Sequence, residues 1–298
     1  MSLVATLVAN PARPVIDADL VARALAVLPA GTRVNELSAG TAVDLVFDGD
    51  PSHAADHDTE LRAAIGDAPV DLLVQKREGR RKRLLIADMD STMIGQECID
   101  ELADAVGKKE IVAAITERAM RGELEFESAL RERATMLAGL EAGVVDTVLA
   151  ERITLTPGAA ALLATMKAHG AYCALVSGGF TAFTGHIAAT LGFDEHRANT
   201  LGIADGRLTG KVGEPILGRA AKRERLAELL AEHGLDAAEA IAVGDGANDL
   251  AMIELAGLGV AYHAKPSVAA VADARVDHGD LTALLYFQGY GAHEISGG

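Results

Sequence analysis

Leu84-Leu85-Ile86-Ala87-Asp88-Met89-Asp90-Ser91-Thr92 is four apolar residues running straight into two carboxylates one residue apart. An apolar run without alternation suits a strand covered on both faces, as in a parallel sheet. Two later runs share that character, Tyr172-Cys173-Ala174-Leu175-Val176 and Ala240-Ile241-Ala242-Val243. Each leads into a polar turn, Ser177-Gly178-Gly179-Phe180 and Gly244-Asp245-Gly246-Ala247-Asn248-Asp249. In open α/β sheets the ligand sits beyond the carboxyl ends of the strands, so the three turns are expected to converge on one crevice.

Between the first and second strands lies a helix-rich stretch of about 96–151, too long for a simple crossover and placed to cap that crevice. Residues 199–212, with Asp205-Gly206 at their centre, read as a β-hairpin. Helical periodicity predicts Thr181 to Leu191 and Gly218 to His233. The first 75 residues read differently: strand, helix, two strands around Ser38-Ala39-Gly40, helix, strand. That βαββαβ order is the ferredoxin-like pattern. Residues 76–83 carry six basic side chains out of eight and read as a solvated linker whose charge could dock on the acidic N-terminal unit. The expected division is therefore 1–75, a linker at 76–83, and 84–298 with its cap.

Composition sets outer limits. The 298 residues carry 27 basic and 43 acidic side chains, a net charge of 27 − 43 = −16, and half the chain is hydrophobic. This length suggests about two folded units. No apolar run reaches the roughly 18–20 residues of a membrane span. The charge argues against nucleic acid or an anionic membrane as partner. Residues Met1 to Val8 lack a basic leading region and meet Asn10 and Pro11 too early for a secretion signal, so the cytoplasm is expected. Cys98 and Cys173 read as small packing residues rather than a disulfide framework.

Asp88 and Asp90 would point to opposite faces of a continuing strand, but a turn after Ala87 lets both reach one site. Such a pair can supply a nucleophile and an acid/base, with a divalent cation relieving their repulsion. A solvated Asp turn is the plainer alternative. Asp245, Asn248 and Asp249 beside two glycines suit a hard cation such as Mg²⁺, or simply cap the next helix. Ser177-Gly178-Gly179 at a helix start offers an anion cradle. Lys222 cannot be singled out by periodicity from Lys211, Arg219, Arg223 and Arg225.

The order of these motifs resembles the haloacid-dehalogenase-like phosphatase superfamily and, within it, the phosphoserine phosphatases. The resemblance covers about Leu84 onward and includes Glu97, Phe126 and Leu130-Arg131-Glu132-Arg133 of the cap. It implies an α/β Rossmann-like parallel core with an inserted helical cap, preceded here by an ACT-like α+β unit of the ferredoxin-like type. It further implies that Asp88 attacks phosphorus, and that Asp90 protonates the leaving oxygen and then deprotonates water. Mg²⁺ would be held by Asp88, Asp245 and the Asp90 carbonyl, with Asp249 orienting them. Ser177, Gly178, Lys222 and Asn248 would hold the phosphate, while Glu97 and Arg133 would recognise the ammonium and carboxylate of phosphoserine. Met120 and Phe126 would be apolar cap contacts. Alternatives within this reading are another phosphorylated small molecule, or transfer to an alcohol such as homoserine. The N-terminal unit could sense an amino acid, form a homodimer, or only pack.

Overall fold

The computed structural model describes residues 1–121 and 123–297; the side chain of Met120, expected as a cap contact, lies outside the described residues. The N-terminal unit comprises β1 (Ser2–Ala9), α1 (Ala18–Leu25), β2 (Arg33–Ser38), β3 (Ala42–Asp48), α2 (Ala54–Ile65) and β4 (Val70–Lys76). Its strands form an antiparallel sheet in the order β2-β3-β1-β4. Asp17 caps α1, its carboxylate accepting from the Leu20 N–H at 2.8 Å. Leu3, Ala5 and Leu7 of β1 pack with Leu20, Ala24, Leu61 and Ile65 of the two helices. The alternate residue Val8, with Ala42 and Leu73, joins the core of the second unit instead. Thus β1 is buried on both faces.

The second unit begins with β5 (Leu84–Ala87), followed by the cap helices α3 (Cys98–Asp104), α4 (Lys109–Met120), α5 (Phe126–Thr135) and α6 (Val144–Glu151). The core resumes with α7 (Ala159–Ala168), β6 (Tyr172–Phe180), α8 (Thr181–Leu191) and β7 (Glu195–Asn199). After the hairpin β8 (Leu201–Ala204) and β9 (Arg207–Val212) come α9 (Arg219–His233), β10 (Ala240–Gly244), α10 (Leu250–Leu255) and β11 (Leu258–Tyr262). The series ends with α11 (Pro266–Ala269), β12 (Ala274–Val276) and α12 (Ala283–Phe287). The sheet order is β12-β11-β10-β5-β6-β7, parallel throughout. This is the expected α/β Rossmann-like core, with β5 central. The chain runs from β5 to β6 on one side and later returns to β10 on the other, which opens the crevice at their carboxyl ends.

Two crossing segments join cap to core and pair with each other. Ile94 bridges Leu155, the Gly95 N–H donates to the Thr154 carbonyl at 3.0 Å, and the Thr156 N–H to the Met93 carbonyl at 3.0 Å. The hairpin also props the cap: the Gly139 N–H donates to the Leu208 carbonyl and the Leu208 N–H to the Leu140 carbonyl, each at 2.8 Å.

The basic stretch departs from the solvated linker expected of it. Arg80 grips the fully buried Asp44 with two N–H groups, at 3.1 and 2.6 Å, and Thr6 donates to the same carboxylate at 2.7 Å. Arg81 lies over the Tyr290 ring at 4.2 Å and pairs with Glu294, Lys82 is buried with its ammonium on the Ala238 carbonyl, and Arg83 pairs with Glu239. A second tie comes from Asp71, whose carboxylate accepts from the N–H groups of Asp277, His278 and Gly279 at 2.8, 3.1 and 2.7 Å. Burial pushes the Asp71 carboxyl up, against the pull of those three donors.

Arg80→Met is therefore expected to destabilise the protein by about 3–5 kcal/mol, because it strands the Asp44 carboxylate inside the junction. Arg83→Ala, which breaks a pair whose arginine is 64% exposed, is expected to cost less than about 1 kcal/mol. Urea unfolding of the two variants beside the parent chain checks the contrast, and equal losses would remove Asp44–Arg80 as the anchor.

Candidate active site

Backbone pairing carries β5 one residue further into the crevice, where the Asp88 N–H donates to the Val243 carbonyl at 3.0 Å. The chain then coils. The N–H groups of Thr92, Met93 and Ile94 all point to the Met89 carbonyl, and Ser91 takes a left-handed φ of 55°. The coil replaces strand alternation, so Asp88 and Asp90 both line one cavity. Its other walls carry Glu97, Thr116, Phe126 and Arg133 from the cap side, and Ser177, Gly178 and Asn248 from the core.

Beneath that cavity, Lys222 reaches from α9 with its ammonium 2.8 Å from Asp88 and 2.6 Å from Asp249. It is 2% exposed. Burial alone would lower the lysine pKa, but Asp249 and Asp88 outweigh it and the net direction is upward. The second oxygen of Asp249 accepts from the N–H groups of Asp245 and Gly246, each at 3.1 Å. Asp249 is thus engaged on both oxygens. Its fit explains Gly244: a Cβ there would lie 2.3 Å from the Asp249 carboxyl carbon.

One carboxylate oxygen from each of Asp88, Asp245 and Asp249 lies within 4.8 Å of the others, all three residues being buried. Lys222 pairs with two of the three, and burial with the charges of Asp249 and Asp88 drives the Asp245 carboxyl well above its ordinary range, against the pull of Lys222 and Lys265. An all-oxygen cluster with surplus negative charge fits a hard divalent cation.

The Asp90 carboxyl is pushed up to about 7, chiefly by burial, with the Asp88 charge adding to it and Cys98 and Lys222 opposing. Its Oδ1 is buried without a hydrogen-bond partner among the described residues. Asn248 donates toward Asp88 at 3.4 Å. Glu97 accepts from the Ser91 hydroxyl at 2.6 Å, and burial, then the Asp90 and Asp245 charges, raise its carboxyl. A cation placed against Glu97 would reverse that penalty.

The glycine turn expected after Val176 is absent. β6 continues to Phe180 with an irregular register between Val176 and Phe180, and neither Gly178 nor Gly179 has a positive φ. Gly178 is required by close approach instead, since a Cβ there would lie 2.7 Å from the Phe126 ring. The Ser177 hydroxyl, buried, accepts from the Gly179 N–H at 2.9 Å, and α8 starts immediately after.

Of the expected residues, Asp88, Asp90, Glu97, Phe126, Arg133, Ser177, Gly178 and Asn248 line the cavity, and Lys222, Asp245 and Asp249 cluster with Asp88. Two others were not singled out by sequence. Asn199 donates to the carbonyls of Gly178 and Leu217 and accepts from the Leu217 N–H, pinning the Ser177–Gly179 segment. Thr116 touches Arg133. Neither belongs to a local pattern; both act through residues 17–21 positions away.

Comparison with known proteins agrees with this geometry. A phosphoserine phosphatase of Streptomyces coelicolor is 46% identical over 216 residues, 72% of this chain and 52% of that protein, so the match spans about half the length of that relative. A solved phospho-aspartyl intermediate analogue of phosphoserine phosphatase is 40% identical, with TM-score 0.67, covering 70% of this chain and 99% of that one. A haloacid dehalogenase family hydrolase from Salmonella enterica serovar Typhi has TM-score 0.84 at 30% identity and covers 97% and 99% of the two chains. Residues 85–254 match the family model for haloacid dehalogenase-like hydrolases. They take in β5, the cap, β6, Lys222 and the β10 turn, every part from which the site is assembled, and the chain belongs to that family.

Proposed function

We propose that the protein hydrolyses O-phospho-L-serine to L-serine and phosphate through an aspartyl-phosphate on Asp88, as the last step of a serine-forming route. The observation that carries this reading is a nucleophile and acid/base pair, Asp88 and Asp90, in one cavity with Glu97 and Arg133, the counter-charges of an amino acid. The names of the similar phosphatases support it.

In this reading Asp88 forms a bond to phosphorus as the phosphorus–oxygen bond to serine breaks, and Asp90 gives its proton to the departing oxygen. Water then attacks the phosphorus, Asp90 takes the proton, and Asp88 is released. A carboxyl pushed up to about 7 can serve in both directions near neutral pH. Lys222, Ser177, the Gly178 N–H and Asn248 hold the phosphate, and Phe126 is an apolar contact from the cap side. Mg²⁺, held by Asp88, Asp245 and the Asp90 carbonyl with Asp249 orienting them, supplies charge neutralisation when bound. Lys222 and the cation admit a dianion to a chain of charge −16. The N-terminal unit is read as ACT-like, a candidate homodimer surface, and the protein as cytoplasmic; among the described residues no helix is long and apolar enough to cross a membrane.

The test is phosphate release from phosphoserine, phosphothreonine, phosphoethanolamine and sugar phosphates, with Mg²⁺ or with EDTA. Phosphoserine turnover that EDTA abolishes is expected, with phosphoethanolamine slower by about tenfold or more for want of a carboxylate. Equal rates on those two amines would sink the Arg133 contact, and full activity in EDTA the metal.

A further inference from the structure

Arg133 is 5% exposed, and two protein acceptors hold its guanidinium. Its Nε donates to the Ala129 carbonyl at 3.1 Å and its Nη1 to the Thr116 hydroxyl oxygen at 2.9 Å. Of five N–H donors, two are used, which leaves three without a protein acceptor among the described residues. The cavity is where they can be satisfied, since Arg133 lines it.

Thr116 sits in turn 2.7 Å from Asp100 Oδ1 and 3.0 Å from the Val112 carbonyl. A hydroxyl has a single proton. Because Arg133 donates into the hydroxyl oxygen, that proton must go outward, and the anionic, nearer Asp100 is the stronger acceptor. The sequence Asp100 ← Thr116 ← Arg133 then has every donor and acceptor in order. It joins α3, α4 and α5, one residue from each, and Asp100 and Thr116 are both buried. Asp100 does not line the cavity, whereas Thr116 and Arg133 do.

We infer that Thr116, polarised by Asp100, is a positioning residue that sets substrate specificity: it fixes the Arg133 guanidinium so that its free N–H groups face the substrate carboxylate. The inference rests on the phosphoserine reading and deepens it. A guanidinium on a flexible stem loses much of its affinity for a carboxylate when its orientation is not fixed beforehand. Phosphate handling, by contrast, belongs to the core and does not depend on this relay.

The experiment compares KM and kcat for phosphoserine and phosphoethanolamine, which share phosphate and ammonium and differ in the carboxylate. Thr116→Val, close in shape and lacking the hydroxyl, is expected to raise KM for phosphoserine by about 10- to 100-fold with kcat changed less than about threefold. On phosphoethanolamine its kcat/KM is expected to fall by no more than about threefold, and this rate also reports that the variant is folded. Thr116→Ser restores the parent values. Asp100→Leu gives the same carboxylate-selective loss, and the double variant loses no more than either single, as expected of residues acting as a unit.

Equal losses on both substrates, or no rescue by serine, would mean that Thr116 only supports the cap and would overturn the inference. So would a loss in Thr116→Val with none in Asp100→Leu, since Thr116 would then act without its relay. Arg133→Ala separates the two levels. If it leaves the preference for phosphoserine intact, the phosphoserine reading of Arg133 falls and the relay with it; if it abolishes the preference while Thr116→Val does not, the relay alone falls.

Discussion

Asp88→Asn is expected to reduce phosphate release by about 10⁴-fold or more while leaving the fold intact. The amide keeps the shape of the side chain but cannot attack phosphorus as an anion. The unusual part of the expectation concerns stability. Asp88, Asp245 and Asp249 crowd their oxygens within 4.8 Å of one another, and Lys222 pairs with Asp88 and Asp249. Removing one of three negative charges relieves repulsion, and Lys222 keeps Asp249 at 2.6 Å. The metal-free variant should therefore melt no lower than the metal-free parent, while the stabilisation gained on adding Mg²⁺ shrinks because a ligand has been lost. Thermal melts with Mg²⁺ and with EDTA, beside a phosphate-release assay, read both halves. A near-normal rate would remove Asp88 as nucleophile, and a large drop in the metal-free melting temperature would mean that its ion pair with Lys222 outweighs the crowding.

The core sheet was legible because its signal is local. Leu84 to Ala87, Cys173 to Val176 and Ala240 to Val243 are continuous apolar runs, and such a run can be satisfied only by cover on both faces. The N-terminal unit was legible in its element order and illegible in its packing. The apolar runs of β1 and β3, broken internally only by Thr6 and Asp44, say that both faces are covered but not by what. Nothing in the sequence sets Asp44 and Asp71 apart from the other acidic residues of the unit. Both are buried, and their partners, Arg80 and the backbone at 277–279, lie 36 and 206–208 residues away. Two of the acidic residues thus serve to dock the units, a role that net charge cannot express.

The site divides along the same line. Asp88, Asp90, Asp245, Asn248 and Asp249 fall in two short turns at strand ends, which an open α/β sheet is expected to bring to one crevice. Lys222 is one cation among several on α9, and only the order of motifs marked it out. Gly178 was read for the wrong reason: glycine there signals the approach of Phe126 from 52 positions upstream rather than a turn. Asn199, Thr116 and Asp100 are polar residues without a motif, and their meaning lies in hydrogen-bond partners that only the fold supplies.

Lys222→Met carries the other large effect, and it should strike activity and stability together. The substitution roughly preserves side-chain volume and removes the one cation shared by Asp88 and Asp249, in a place where Lys222 is 2% exposed and Asp249 fully buried. Breaking such a buried pair costs about 3–5 kcal/mol, because the carboxylates stay behind. The pH dependence follows from their direction. Burial and mutual charge raise Asp249 to about 7 and Asp245 well above its ordinary value, so ionising them opposes folding. For Asp249 that penalty is fully present above about pH 7 and fades as pH falls toward about 4, the ordinary carboxylate pKa, and Asp245 shifts in the same direction. Without the lysine to offset it the penalty grows, so the variant should lose most stability at pH 8 and recover part of it at pH 5.5. Mg²⁺ should restore stability in part and turnover hardly at all, because Lys222 is also the positive group placed for the transferring phosphate; a loss of about 10³-fold in kcat/KM is expected. Lys222→Arg should not rescue, since the wider guanidinium has no room between Asp88 and Asp249 at 2.8 and 2.6 Å. Urea unfolding at the two pH values with and without Mg²⁺, together with phosphate release, decides the matter: a variant as stable at pH 8 as the parent would show that the carboxylates are already held neutral there, and one that turned over normally would leave the phosphate to the metal and the amides alone.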